Sequence, residues 1–267
     1  TATEDTTLTS EGSGQRLGKP INHRNGSVMY EVNKDLSENI KVSVDFYGSE
    51  NRYVNPPSGL FNYQYGYSSL NLSYRFDPRT QFFIQGLAGK YLVTDQPNYN
   101  KKNISLLLGA NRILDEKWSL SASVGPSQIR TSASIDRGQS YNAVLSYKAE
   151  LSRFSISLNK DIFPNGYGEL SRRDQIKLDW SVPITEFLSV TVSAVNASNK
   201  NFLIDVNSPI SSLRYREVDT GLKWALTQTW GLSLNAGHAW QQYNSSLAKK
   251  NFASLSVTWN GLNHLLN

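Results

Sequence analysis

An alternation of apolar and polar residues with period two runs along almost the whole chain. Ile40, Val42, Val44 and Phe46 alternate with Lys41, Ser43, Asp45 and Tyr47. Leu70, Leu72, Tyr74 and Phe76 alternate with Asn71, Ser73 and Arg75. The pattern returns at 118–124, 141–151, 154–158, 176–182, 188–194, 222–226, 230–236 and 253–259. In extended backbone, successive side chains point to opposite faces, so each segment has one apolar and one polar face. An amphipathic helix needs apolar residues at i, i+3, i+4 and i+7, and almost none recur that way. The chain is therefore read as all-β.

The connections fall into two kinds. Short ones lie at 34–39, 77–80, 115–117, 152–153, 185–186 and 227–229. Longer polar stretches rich in Asn, Ser, Pro, Gly and Tyr lie near 49–68, 94–103, 126–140, 160–174, 196–215 and 241–251. Tight turns at one edge and long loops at the other imply sequential antiparallel hairpins, an up-and-down meander.

Such a meander is either a soluble barrel or sandwich with its apolar face inside, or an outer-membrane barrel with that face toward lipid. Three features favour the membrane. The polar face carries charges suited to a wet lumen. Aromatics sit at strand ends, where a girdle at a lipid–water boundary would place them. Loop length is segregated as periplasmic turns and extracellular loops are. The expected fold is a transmembrane antiparallel up-and-down β-barrel located in a bacterial outer membrane. Thirteen segments can be counted from Ser27 to Trp259. An even number is usual, so the expectation is about 14 strands, with 12 or 16 as alternatives. Residues 1–26 form a polar segment, a first strand or a plug, with 18–26 as a first outer loop. Residues 27–260 are the barrel, and 261–267 a C-terminal tail.

The stretches 72–83, 178–190 and 221–234 are each strand, short turn with Pro or Thr, then strand. They resemble bacterial outer-membrane β-barrel (porin-like) proteins, and in finer detail the barrels associated with exopolysaccharide secretion. The resemblance covers about 27–260. The last strand, 252–259, resembles the aromatic-ended signal of barrel assembly but departs from it, because eight residues follow Trp259. The resemblance implies a passive or gated pore, with polysaccharide export as the finer reading. A structural or partner-bound barrel with a filled lumen is the alternative, the filling being the N-terminal segment or a periplasmic or plug partner protein.

The inward set reads as Lys41, Asp45, Arg75, Lys148, Glu150, Lys177, Asp179, Asp219 and Lys223. Five are cationic and four anionic, so ion selectivity should be weak, and any of them can instead brace the wall as a cross-strand pair. Tyr53, Phe61, Tyr63, Tyr65 and Tyr67 are candidates for an outer mouth with aromatic platforms for sugar; a lipid-facing girdle is the alternative. Trp118, Trp230, Trp240 and Trp259 read as interface girdle.

Other chemistries find little support. The chain has no Cys, which excludes a disulfide scaffold, a thiolate metal site and a Cys nucleophile. Its three His, at 23, 238 and 264, are scattered, and neither a metal nor a cofactor is expected. A lipid-modifying barrel enzyme would need a Ser beside His238, and Ser254 and Ser256 have the wrong parity to share its face. The chain reads as a non-enzyme. The net charge of +5 comes from spread residues and from the pairs Lys101-Lys102, Arg172-Arg173 and Lys249-Lys250, placed in outer loops. These suit outer-membrane lipid and lipopolysaccharide phosphates rather than nucleic acid.

Overall fold

The computed structural model describes residues 2–5, 23–55, 61–94, 96–166, 168–200, 212–243 and 246–259. Fourteen strands form one sheet in strict sequence order. They are β1 (Ala2–Asp5), β2 (His23–Asp35), β3 (Ile40–Tyr53), β4 (Tyr63–Asp77), β5 (Thr80–Val93), β6 (Lys101–Ile113) and β7 (Trp118–Arg130). Then follow β8 (Ile135–Ala149), β9 (Ser152–Asn165), β10 (Glu169–Pro183), β11 (Leu188–Lys200), β12 (Ser212–Ala225), β13 (Trp230–Tyr243) and β14 (Ser246–Trp259). Every neighbouring pair is antiparallel, as a meander requires. The sheet curls into a barrel, with side chains of β4 and β5 reaching those of β9 and β10 across the lumen. Among the described residues no register joins β14 to β1.

Two boundaries differ from the sequence reading. Among the described residues a first strand within 1–26 is present over Ala2–Asp5. Residues 23–26 belong to β2 and not to an outer loop. Residues 6–22 and the tail 260–267 lie outside the described residues.

Five of the six short turns fall where the sequence places them, while the β8–β9 turn is at 150–151 and not at 152–153, which begins β9. Side chains of the turns hold several of them. The Asp115 carboxylate accepts from the backbone N–H of Lys117 (2.8 Å) and of Trp118 (2.7 Å). Thr185 and Thr227 hydroxyls accept from the N–H of Leu188 and Trp230, each at 3.0 Å. Asp and Thr are favoured in turns because they can mimic a backbone acceptor this way.

The opposite end differs from expectation. Most of the polar stretches read as long loops are strand. Of 126–140 only 131–134 is turn, and of 160–174 only 166–168 separates β9 from β10. From β2 to β14 the strands run 13 to 15 residues, against the roughly 9–11 needed to cross a bilayer. They overshoot the membrane at this end. On β4 the outward positions Leu70, Leu72, Tyr74 and Phe76 are apolar, while Gln64, Gly66 and Ser68 above them are not. Above the bilayer nothing favours an apolar exterior, so the alternation that marks a strand fades while the strand continues.

Burial decides between the two barrel readings. Leu72, Ile84, Leu108, Val124, Leu222 and Leu255 are exposed on the outer face, and Ser69, Ser73, Asn103 and Ser127 are buried on the inner one. A soluble barrel would reverse this. An apolar exterior over a polar interior is the lipid-solvated arrangement. Trp118 lies opposite Tyr147 with ring centroids 4.8 Å apart, and Trp230 opposite Trp259 at 6.3 Å. These outward rings form a girdle at the short-turn end. Trp240 also faces outward, but at the opposite end.

The β6–β7 ladder is interrupted between Ser105↔Ser127 and Leu108↔Val124. Pro126 sits in the gap and has no N–H to contribute. Gly125 sits there too, and a Cβ on it would lie 1.9 Å from the Leu106 carbonyl oxygen.

Candidate functional site

The lumen has two halves of different character. At the short-turn end its wall is polar and charged. Lys41, Asp45, Arg75, Lys148, Lys177, Asp179, Asp219 and Lys223 all occupy inward register positions, as the alternation predicts. Glu150 does not: β8 ends at Ala149, and Glu150 sits in the two-residue turn before β9. The parity count carries it inward only if the strand is extended beyond its end. The buried Ser69 hydroxyl of β4 donates to Asp45 of β3 at 2.6 Å, a link between neighbouring strands, whereas Lys177 pairs at 2.9 Å with Asp179 along its own strand.

At the other end the lumen is filled, and the filling is the tip of the β9–β10 hairpin. The β8–β9 register ends at Tyr141↔Lys160, whereas β9 and β10 stay paired to Asn165↔Glu169. Above Lys160 the hairpin has left the β8 wall and entered the barrel. Arg172, on the outward parity of β10, consequently faces the inner surfaces of β7 and β8. Its Nε donates to Asp136 at 2.9 Å and its Nη2 to the Ser127 carbonyl at 3.2 Å. Gly138 makes room: a Cβ there would lie 2.7 Å from the guanidinium carbon. On the far side, the Tyr91 hydroxyl donates to the Asn165 carbonyl at 2.8 Å, and the Phe61 N–H donates to the Gly166 carbonyl at 2.8 Å. Gly168 has φ +77 and lies against the Tyr99 ring, a position where a side chain would both strain the backbone and clash.

This junction is the main buried core of the described residues. Tyr53, Tyr63, Tyr65, Tyr91, Val93, Ile129 and Leu170 cluster there, with Phe61 and Tyr67 packed against them. The five aromatics expected at an outer mouth are therefore gathered at the mouth, and they face in, not toward lipid. Burial pushes the Tyr65 phenol up to about 12, so it stays a neutral hydrogen-bonding group. Glu169 and Lys101 meet within the same junction. Burial raises the Glu169 carboxyl to about 7, against the opposing pull of Lys101 and a hydrogen bond from Asn165. Desolvation also lowers Lys101.

Below the tip lies a cavity of about 630 Å³. Tyr47, Tyr63, Tyr65 and Tyr67 form one wall, and Asp161, Phe163 and Arg173 of the hairpin form another. Tyr47 and Tyr67 stack, with centroids 5.1 Å and planes 24° apart. Arg173 pairs with Asp161 at 2.7 Å and lies over the Phe163 ring at 4.7 Å. Asn25, Asn51, Asn142 and Asn159 add amides. The walls thus offer flat rings and paired donors and acceptors with little uncompensated charge.

The hairpin tip was not legible as a lumen element from the sequence. Its polar residues read as an outer loop. The adjacent basic pairs read as loop charges also need correction: they lie in strands, where neighbours face opposite ways. Lys102 and Lys249 face out, Lys101 and Lys250 face in, and Arg172 and Arg173 flank the two faces of the tip. His238 faces out beside Trp240, with ring centroids 4.2 Å apart, and its Nδ1 contacts the Asn251 side chain. Ser254 and Ser256 occupy inward positions and do not share its face. Among the described residues no group of three or more His, Asp or Glu could hold a metal.

No family model matches the chain, and no curated protein matches it in sequence. Solved structures match its fold. The siderophore receptor PiuA from Acinetobacter baumannii aligns over 91% of this chain and 53% of its own at 14% identity, with a TM-score of 0.54. The copper transporter OprC aligns over 90% and 52% at 9% identity, with a TM-score of 0.54. The FrpB iron transporter from Neisseria meningitidis aligns over 84% and 44% at 9% identity, with a TM-score of 0.55. The chain spans about half the length of these outer-membrane barrels. At such identities the likeness is one of fold. The chain is an outer-membrane-type β-barrel, and its apolar exterior suits that membrane.

Proposed function

We propose that this barrel is an outer-membrane transport conduit gated by its own β9–β10 hairpin, and that its solute is polar and close to neutral. The carrying observation is the tip of β9 and β10 docked across the mouth, above a Tyr- and Asn-walled cavity. A permanently sealed structural barrel has no need of a cavity beneath its seal. A wide general pore has no need of the seal. Fold neighbours that are themselves transporters support the coarse reading.

Among solutes, the walls favour saccharides, and with them polysaccharide export. Sugar rings present a C–H face to aromatic rings and hydroxyls to amides and to an Arg–Asp pair. The near balance of lumen charge fits a solute without strong net charge. The filled outer half supports a second reading, in which the barrel opens only with a partner.

The test is single-channel conductance of the full chain in a planar bilayer. The unmodified chain should be mostly closed with brief openings. Releasing the tip through Arg172→Ala should give sustained steps that neutral oligosaccharides block reversibly. Silence from both proteins, each shown to be folded, would overturn the gated conduit. Sustained steps indifferent to sugar would overturn the solute class alone.

A further inference from the structure

The outer face above the apolar band carries a row of cations with no acidic partner. Lys90 on β5 lies directly opposite Lys102 on β6, and Lys102 lies directly opposite Arg130 on β7. Arg137 on β8 shares the face, two positions from Ile135, which is the register partner of Arg130. All four are exposed. Among the described residues none is in an ion pair, and no Asp or Glu occupies an outward position beside them. The contrast with other outward charges is clear: Arg52 pairs with Glu50 at 2.9 Å and Lys160 with Asp174 at 3.1 Å.

Like charges directly opposite one another weaken a sheet. Three in register on adjacent strands, next to a fourth, are tolerable only if something neutralises them. Their height says what that is. On β7 the outward face runs from Trp118 in the girdle to Gln128, the partner of Ile104, and Arg130 is the next outward residue. Ten residues at about 3.3 Å each, tilted about 40°, rise about 25 Å, the height of the apolar band of such barrels. The row therefore begins where acyl chains end, at the level of headgroups. Being at the end opposite the tight turns, it faces the outer leaflet.

We propose that Lys90, Lys102, Arg130 and Arg137 form a binding site for the phosphate groups of an outer-leaflet glycolipid. Ile104, exposed one outward position below Lys102, lies against its acyl chains. A phosphate between Lys90, Lys102 and Arg130 turns mutual repulsion into shared attraction, and Arg supplies paired donors to its oxygens. The lipid then acts as mortar across β5, β6, β7 and β8, the wall from whose upper edge the β9–β10 hairpin has departed.

The test uses the full chain in bilayers of phosphatidylcholine containing either bis-phosphorylated lipid A or the same lipid with its phosphates removed. Two variants carry equal charge loss: Lys90→Gln with Lys102→Gln, Arg130→Gln and Arg137→Gln on the outside, and Lys41→Gln with Lys148→Gln, Lys177→Gln and Lys223→Gln in the lumen. Retained glycolipid is counted by native mass spectrometry. The unmodified chain and the lumen variant should retain phosphorylated lipid A, and the outer variant at least about tenfold less. The dephosphorylated lipid should be retained by none. In bilayers containing the dephosphorylated lipid the outer variant should unfold at a higher temperature than the unmodified chain, because repulsion is gone; with phosphorylated lipid A the order should reverse. The pair Lys102→Gln with Arg130→Gln gives the same readouts if the fourfold variant does not fold. Equal retention by all proteins would overturn the site, as would equal loss in both variants. Inorganic phosphate reproducing the heat protection would overturn the membrane lipid as its source.

Discussion

The Arg172 guanidinium donates to the Asp136 carboxylate at 2.9 Å, joining the tip of β10 to the wall of β8. No ladder hydrogen bonds join β8 to β9 at this height, so the side chains make the link that the backbone has given up. Arg172 is 8% exposed and Asp136 18%, so the pair is largely removed from water. Breaking a buried pair costs more than the pair contributes, because the survivor is left uncompensated.

Arg172→Ala should weaken docking of the tip by about 3 kcal/mol, within the range for breaking buried pairs. Protease nicking at 166–168 should rise by orders of magnitude while the remaining strands keep their β-signal in circular dichroism. Unchanged nicking would mean that the tip is held elsewhere.

Docking should also depend on pH through Glu169. Its carboxyl is raised to about 7 when docked, chiefly by burial, so the docked state holds a proton that the undocked state releases near the ordinary value of 4.5. A group raised in the ordered state stabilises it below the lower value and loses that contribution as pH rises to the higher one. Docking is therefore strongest near pH 4.5 and weakens toward pH 7, by up to about tenfold in the open-to-closed ratio per pH unit. Open probability between pH 5 and 8 reads the effect, and Glu169→Gln should flatten the profile.

Inside the barrel, Phe83 lies over its cross-strand partner Gly109, and Phe252 over Gly237. A Cβ on Gly109 would come within 2.3 Å of the Phe83 ring. Gly109→Ala should therefore destabilise the barrel by about 1–3 kcal/mol, as overpacking does. Denaturant unfolding in detergent measures this, and Phe83→Leu in the same chain should recover only part of it, because the Cβ would also meet the Ala122 carbonyl oxygen and the Ser123 Cβ. An additive double variant would show that the ring and the glycine are not coupled.

Tyr67 stacks on Tyr47 and is half-buried, so its ring can go without opening the core. Tyr67→Ala should leave the fold intact and weaken oligosaccharide block of the released channel by about 1 kcal/mol, roughly fivefold in concentration. Block that is insensitive to Tyr67 would move the sugar site away from this wall.

Much of this was readable from residues alone. The strand order, five of the six short turns and the facing of Lys41, Asp45, Arg75 and Lys177 follow from a period of two. Glu150 failed because parity counting does not see where a strand ends. The upper strands look like loops in the sequence because their exterior is no longer apolar. The five mouth aromatics were found, but their facing needed the register of β4.

An antiparallel meander of about fourteen strands with one face for lipid is already written in the residues, because side-chain alternation is a local property of extended backbone. Tertiary structure decided that β9 and β10 leave the wall and close the mouth. That departure rests on contacts such as Tyr91 to Asn165, 74 residues apart, and Arg172 to Asp136, 36 apart. It decided likewise that Lys90, Lys102 and Arg130 stand side by side, since three cations far apart in the chain become a row only when the register of β5, β6 and β7 is set.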